Sequence, residues 1–203
     1  MRAQEEPAAR PMLSADVVGN FRRLRITSAL AELCVEQGYR ATTITHIAKR
    51  AGCARGTIYE LFDNKDEIFV TLLERVAAEL FVLVDESCAS AEGGPSKRTE
   101  TGLRALLSWV GTDPCAAWAL IVEAPSGSAE AFGLHFDLLA GFAERLDRNR
   151  PGEAVLPGPV AELIVGGIAS ILRGLLIAGD AERAPELLPE LLTYLRQPFL
   201  AEA

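Results

Sequence analysis

Residues 43–68 read TITHIAKRAGCARGTIYELFDNKDEI, and this stretch decides the fold. Its first part repeats apolar side chains at the spacing of one helix face: Ile44, Ile47, Ala48 and Ala51. Thr43 can cap this short helix at its start, and Gly52 ends it. A second short helix follows at about residues 54–61. The stretch therefore predicts two short helices joined by a tight turn, a helix-turn-helix.

A longer helix is predicted on each side of this motif. Before it, an apolar stripe with helical spacing predicts a helix over about residues 17–37, ended by Gly38: Ile26, Ala29, Leu30, Leu33 and Cys34. After it, Asn64 is an N-cap signal, and Glu67 three residues on completes a capping-box pattern. That helix continues to about residue 89.

The second helix of the motif leaves a polar face exposed. Its apolar residues turn inward, so the opposite face carries Gly56 and Glu60. The margins and the N-terminal end of that face are formed by Arg55, Thr57 and Tyr59. A glycine at an exposed helical position costs about 1 kcal/mol against alanine, which suggests that a partner approaches the backbone at Gly56. DNA would be such a partner.

The same stretch resembles the DNA-binding signature of TetR-family transcriptional regulators, over roughly residues 20–68. The resemblance implies a three-helix DNA-binding domain followed by an all-helical domain that binds a small effector and dimerises. It implies phosphate contacts from Thr43, Thr45, Tyr59 and Lys65. It also implies that the major groove faces Arg55, Gly56, Thr57 and Glu60. Ala54 departs from the pattern, because a capping residue is usual at that position.

Charge is divided unevenly along the chain. The 203 residues are 49% hydrophobic and 24% charged, with a net charge of −8, which is typical of a globular chain and not of a disordered one. Residues 1–65 hold ten Lys/Arg and seven Asp/Glu (+3), whereas residues 66–203 hold ten and twenty-one (−11). This asymmetry suggests a basic nucleic-acid module joined to an acidic body, with chance clustering of surface charge as the alternative.

The remaining periodicity is helical throughout, so the fold class is all-α. Further helices are predicted at about residues 98–111, 114–124, 128–148, 159–178 and 185–197, with loops at 91–97 and 149–159. Three regions follow: a flexible N-terminal arm at 1–16, the helix-turn-helix DNA-binding domain at 17–64, and a helical effector-binding and dimerisation domain at 65–203.

The helix around residues 163–172 is apolar on every side, which predicts that it is buried on every side. Together with the leucine stripe of the last helix, it predicts a four-helix dimer interface, an intrachain core being the alternative. The residues proposed for this interface are Leu163, Gly166, Gly167, Ala169, Ile171, Leu188, Leu191, Leu192 and Leu195. The apolar run is shorter than the roughly 20 residues of a membrane span, so no membrane partner is predicted.

The middle helices carry the candidates for an effector pocket. These are Trp109, Trp118, Glu123, Phe132, His135, Phe136 and Phe142. A pocket made from them would be mainly apolar with a few polar groups, which favours a small apolar effector. Aromatic residues at helical spacing are also typical of plain core, and this alternative stays open.

The resulting hypothesis is a cytoplasmic homodimeric repressor, released from an inverted-repeat DNA operator by a small effector and needing no cofactor. A thiol redox sensor on the same scaffold is the alternative, with Cys34, Cys53, Cys88 or Cys115 as the reactive group. The cysteines lack metal-ligand spacing, which predicts no metal site. With two histidines and no nucleophile or phosphate-loop motif, the chain is predicted not to be an enzyme.

Overall fold

The computed structural model describes residues 15–148 and 159–196, and within these ranges the chain is helical with no strand. The N-terminal part contains α1 (Ala15–Gln37), α2 (Ile44–Ala51) and α3 (Arg55–Tyr59). The rest contains α4 (Lys65–Ser90), α5 (Pro95–Thr112), α6 (Pro114–Trp118), α7 (Ala129–Arg148), α8 (Val160–Ala178) and α9 (Leu188–Arg196). The all-α prediction is confirmed for these residues.

The predicted caps of the helix-turn-helix are confirmed. Thr43 Oγ1 accepts a hydrogen bond from His46 N at 3.3 Å, which starts α2. Gly52 ends α2 in the left-handed region, at φ +64°, where a side chain would be strained. α3 begins after Ala54 without a side-chain cap, as the departure from the family pattern predicted.

α4 begins at Asn64, whose Oδ1 accepts from Glu67 N at 2.9 Å. The capping box differs from the predicted one in its second half. Glu67 Oε2 accepts from Asp63 N, one residue before the cap, at 2.5 Å. The motif and α4 are therefore joined by a turn fixed at both ends.

Three predicted boundaries were wrong. The loop at 91–97 is shorter, because Pro95 opens α5; proline suits the first helical turn, where its missing N–H costs nothing. The single helix at 114–124 is divided into α6, a π-helical turn (Ala119–Glu123) and a 3₁₀ turn (Ala124–Ser126) containing Pro125. The last helix, predicted to begin at about residue 185, begins at Leu188, because a second 3₁₀ turn (Ala181–Leu187) precedes it.

Two predicted segments fall partly or wholly outside the described residues. Of the arm predicted at 1–16, the structure describes only residues 15 and 16, which begin α1. Of the loop predicted at 149–159, it describes only Pro159. The division at residues 64 and 65 remains a prediction. One continuous core extends across it, from Ile26 and Ile58 in the helix-turn-helix through Phe69 to Leu107 and Leu120 in the body.

The prediction that α8 is buried on every side was wrong for the single chain. The exposed side chains follow one helix face: Leu163, Gly167, Ser170, Ile171, Gly174 and Ile177. At 19 residues and a mean hydropathy of 2.0, α8 has the length and composition to cross a membrane, contrary to the estimate from residues 163–172 alone. Only 17% of this apolar stretch of α8 is buried within the chain. Its opposite face packs on α7 and the second 3₁₀ turn.

Candidate nucleic-acid interface and apolar cavity

The outer face of α3 is open to solvent. Arg55, Gly56, Tyr59 and Glu60 are exposed, and Thr57 is half-buried. A Cβ built at Gly56 would meet no atom within 4 Å, so the glycine is not required by packing inside the chain. A flat polar helix face with bare backbone at its centre can lie against a nucleic-acid groove.

Ion pairs and hydrogen bonds hold α2 and its turn against α1. Arg50 of α2 pairs with Glu32 at 2.9 Å and with Glu36 at 2.5 Å, both on α1. Arg25 Nη2 donates to the carbonyl oxygens of Ala51 and Gly52. Arg25 therefore ties the turn to α1, and the motif is a rigid unit whose α3 face is set by α1.

A polar hollow lies between α1 and the start of α3. Arg22 and Arg25 line it from α1, and Thr57 lines it from α3. Two cations and a hydroxyl are the groups that contact DNA phosphates. Sequence periodicity could not place Arg22 next to Thr57, because the pairing depends on how α1 crosses the motif.

The four residues expected to grip phosphate have different environments. Thr43, Thr45 and Tyr59 are exposed, although the Thr43 hydroxyl oxygen also caps α2. Lys65 is half-buried, and its Nζ donates to the carbonyl oxygens of Tyr39 and Thr42, each at 2.9 Å. Two of its three ammonium protons are therefore used inside the chain.

An apolar cavity of about 880 Å³, counted with its open mouth, lies inside the body. Side chains from α4, α5, the π turn, α7, α8 and α9 form its wall. They include Leu80, Val84, Leu103, Leu106, Trp109, Leu120, Ile121, Leu139, Phe142, Val165, Ile168, Ala169, Leu172 and Leu195. Its wall is mainly apolar with few polar groups, which is typical of small-molecule sites.

Among the residues that the structure describes, Arg145 is the only charged side chain in the lining. Its Nε and Nη2 donate to Asp85 at 2.8 and 2.7 Å, and its guanidinium lies 4.0 Å from the centre of the Phe81 ring. Nothing in the sequence indicated that Arg145 lines a cavity, since an arginine near a helix end resembles an ordinary surface residue. The lining leucines were missed too, because their helical spacing is the same as that of core.

Of the seven predicted pocket residues, Trp109 and Phe142 line this cavity and the other five do not. Phe132 and Phe136 pack against each other at the surface with tilted rings, whose centres are 4.8 Å apart. His135 lies behind the wall, its Nδ1 3.0 Å from Leu120 O, and burial lowers its pKa. Trp118 and Glu123 bond to each other, Nε1 to Oε1 at 3.3 Å, on the side facing the helix-turn-helix.

The nine predicted interface residues are divided among the exposed face of α8, the core of the chain and the cavity wall. Leu163, Gly167 and Ile171 lie on the exposed face of α8, with Gly166 half-buried beside them. Leu188 and Leu191 are buried in the chain's own core, and Leu192 is half-buried against it, because α9 packs inward on α5. Ala169 and Leu195 line the cavity.

The four cysteines are free thiols, and burial disfavours the thiolate form of three of them. Burial raises the pKa of Cys34 to about 12, and it also raises the pKa of Cys88 and of Cys115. A raised pKa lowers the thiolate fraction that reacts with oxidants. This weighs against the redox-sensor alternative at those three positions.

Comparison with known proteins finds a family match in the helix-turn-helix region. Residues 26–72 match the family model described as bacterial regulatory proteins, tetR family. The fatty acid metabolism regulator protein of Bacillus subtilis (strain 168) is 35% identical over 63 residues, which are 31% of this chain. The chain spans about a third of that relative's length in this match, 32%.

Solved structures resemble nearly the whole fold. The fatty acid degradation regulator FadR from Bacillus halodurans has a TM-score of 0.77 at 18% identity, covering 86% of this chain and 94% of its own. The transcriptional regulator FadR from Bacillus subtilis, in complex with stearoyl-CoA, has a TM-score of 0.70 at 21% identity, covering 85% and 96%. The likeness thus extends from the helix-turn-helix into the helical body.

Proposed function

Because the chain is a TetR-family transcriptional regulator, we propose that it acts in the cytoplasm as a homodimeric repressor of an inverted-repeat operator, released by an apolar effector. The observation that carries the proposal is the combination of an exposed α3 face at one end with an apolar cavity in the body.

The DNA contacts proposed are those of the exposed α2 and α3 side chains. Thr43, Thr45 and Tyr59 would bind phosphates, with Arg22 added from the polar hollow. Arg55 and Thr57 would reach base edges, and Gly56 would let the backbone approach them. Lys65 is assigned a structural role, fixing the turn before α2, and any phosphate contact from it would use its remaining proton.

The dimer would form through the exposed face of α8. Leu163 is 71% exposed and Ile177 is 59% exposed, which is unusual for large apolar side chains on one helix. A Cβ built at Gly167 or Gly174 would meet nothing within 4 Å, so a second helix can approach closely there. Burial of this face between two copies also accounts for the hydropathy of α8 without a membrane.

The effector would be a chain-like apolar molecule. The cavity wall is almost wholly aliphatic and aromatic, so binding gains come from burying hydrocarbon. A fatty acyl chain fits this lining, with its acidic or phosphate-bearing end toward Arg145. The stearoyl-CoA held by the Bacillus subtilis relative supports this class.

DNA binding tests the proposal directly. DNA selected from a genomic library by the purified protein should contain inverted half-sites about one helical turn apart, roughly 34–36 Å. Arg55→Ala should weaken binding to the selected site by about 1–3 kcal/mol, whereas Arg183→Ala, an exposed arginine on the body, should leave it unchanged. Recovery of sequence-independent DNA alone, with no inverted repeat, would refute the repressor.

Stearoyl-CoA tests the effector class. The two tryptophans of the chain are Trp109, in the cavity wall, and Trp118, outside it. In Trp118→Phe the remaining Trp109 emission should change with stearoyl-CoA, and the same concentrations should release the selected DNA. Unchanged Trp109 emission at saturating stearoyl-CoA and stearate would rule out the acyl class.

A further inference from the structure

A carboxylate joins the helix-turn-helix to the wall of the cavity. Glu123 Oε1 accepts from Tyr39 N at 3.2 Å and from Trp118 Nε1 at 3.3 Å. Tyr39 lies in the turn between α1 and α2, and Glu123 is the last residue of the π turn. One side chain therefore links segments 84 positions apart.

On the helix-turn-helix side, Tyr39 is held from several directions. Its hydroxyl donates to Asp66, its ring stacks on Phe69 with centres 4.4 Å apart, and its carbonyl accepts from Lys65. Lys65 also holds Thr42 O, directly before the Thr43 cap of α2. The position of Tyr39 consequently sets where α2 begins.

On the cavity side, the same π turn supplies part of the wall. Leu120 and Ile121 line the cavity, three and two residues before Glu123 respectively. A π turn carries one residue more than an α-helix, and such turns are frequent at functional sites. If the turn relaxed to α-helical geometry, the residues after it would rotate by about 100°, one helical position. Glu123 would then leave Tyr39.

We propose that Glu123 is a positioning residue that couples the two sites: filling the cavity displaces Leu120 and Ile121, and Glu123 then releases the main-chain N–H of Tyr39. The released turn no longer fixes the start of α2, whereas Arg50 and Arg25 still hold the end of α2 against α1. This inference rests on the proposed function for the identity of the ligand and of the DNA. In this mechanism the signal enters the helix-turn-helix through the α1–α2 turn.

The direct readout is hydrogen exchange at the amide of Tyr39, measured by NMR on the full-length protein. Stearoyl-CoA should speed exchange at Tyr39 by at least about fivefold, the low end of common coupling factors. Trp109 emission is recorded separately on the Trp118→Phe variant, whereas Tyr39 exchange is recorded on the native protein, in which Trp118 still donates to Glu123. If Trp109 responds and Tyr39 exchange does not, the coupling is refuted while the effector class stands.

Variants that fill the cavity with a larger side chain test the inference without stearoyl-CoA. Leu139→Trp fills the cavity from α7 and Leu106→Trp fills it from α5, each adding a large ring. Both should speed exchange at Tyr39 by a similar factor with no ligand present. Leu83→Trp, on the exposed side of α4, is the matched control and should leave exchange unchanged. Native protection of Tyr39 in both folded cavity variants would overturn the inference.

Variants at position 123 separate coupling from simple support. Glu123→Gln keeps an oxygen acceptor for Tyr39 N and should retain the response to cavity filling. Glu123→Ala should expose the Tyr39 amide from the start and abolish any further response, so that selected DNA binds equally well with and without stearoyl-CoA. Glu130→Ala, an exposed carboxylate at the start of α7, is the control. A full response of DNA affinity in Glu123→Ala would contradict the assignment.

Discussion

Lys65 Nζ donates to the carbonyl oxygen of Tyr39 at 2.9 Å and lies 4.1 Å from the centre of the same residue's ring. A lysine in the first turn of a helix is opposed by the helix dipole, so its position has another cause. That cause is the turn between α1 and α2, where Lys65 donates to the carbonyl oxygens of Tyr39 and Thr42.

We expect Lys65→Met to lower the free energy of unfolding by about 1–2 kcal/mol, because two charge-assisted hydrogen bonds and a cation–π contact are lost. Urea unfolding followed by circular dichroism measures this. Lys49→Met, an exposed lysine on α2, is the control and should change stability by less than about 0.5 kcal/mol. Equal effects of the two substitutions would contradict the structural role of Lys65.

The contrast between these lysines shows what sequence could and could not predict. Helix spacing, Thr43, Gly52 and Asn64 act within a few residues, and the structure confirmed the helices and caps that they predicted. The partners of Lys65 lie 23 and 26 positions away. Nothing in local spacing distinguishes a lysine that reaches them from one that faces solvent.

The cavity shows the same limit in another form. Large aromatic residues were expected to line it, yet Phe132 and Phe136 pack against each other at the surface. The wall consists mainly of leucines, whose spacing is identical in a solid core and around a hollow. A cavity arises from the distance between helices, which depends on how they cross and not on the composition of any one of them.

Gly56 separates stability from DNA binding. Gly56→Ala should raise the free energy of unfolding by up to about 1 kcal/mol, because alanine favours the helix and a Cβ there meets no atom. The same substitution should weaken binding to the selected DNA by at least about tenfold, or 1.4 kcal/mol, since the methyl group lies between the backbone and the groove. Fluorescence anisotropy gives the affinity.

Gly133→Ala is the matched control for Gly56. Gly133 lies within α7, and a Cβ built there also meets nothing within 4 Å. It should gain the same stability and retain full DNA affinity. If Gly56→Ala bound DNA as tightly as this control, close approach to the α3 backbone would be disproved.

The exposed face of α8 predicts a dimer that one charge can disrupt. Ile171→Glu should raise the dimer dissociation constant by at least about a hundredfold, because burying an unpaired carboxylate costs about 3 kcal/mol or more. Sedimentation velocity measures the shift to monomer. Val82→Glu adds the same charge at another exposed apolar position, on α4, and should leave assembly unchanged.

DNA affinity distinguishes a functional dimer from accidental association. The Ile171→Glu variant should lose most of its affinity for an inverted repeat, because two half-sites no longer bind together. Its affinity for a single half-site should stay near that of the native monomer. A monomeric native protein at micromolar concentration would disprove the interface.

His135 predicts a pH dependence of stability. Burial is the main cause of its lowered pKa, which nearby Arg173 lowers further, so the unfolded chain takes up a proton more readily than the folded one. Folding is then favoured above about pH 6.5, the usual histidine pKa, and stability falls as the pH drops through 6.5 toward the lower native value. Below that value the loss levels off, because both states are protonated.

The two histidines of the chain provide the comparison that isolates this effect. Between pH 7.5 and 5.5 the midpoint of thermal unfolding should fall further for the native protein than for His135→Gln. His46→Gln should behave like the native protein, because His46 is exposed at the start of α2. Identical pH profiles for His135→Gln and the native protein would show that His135 binds its proton equally well in both states.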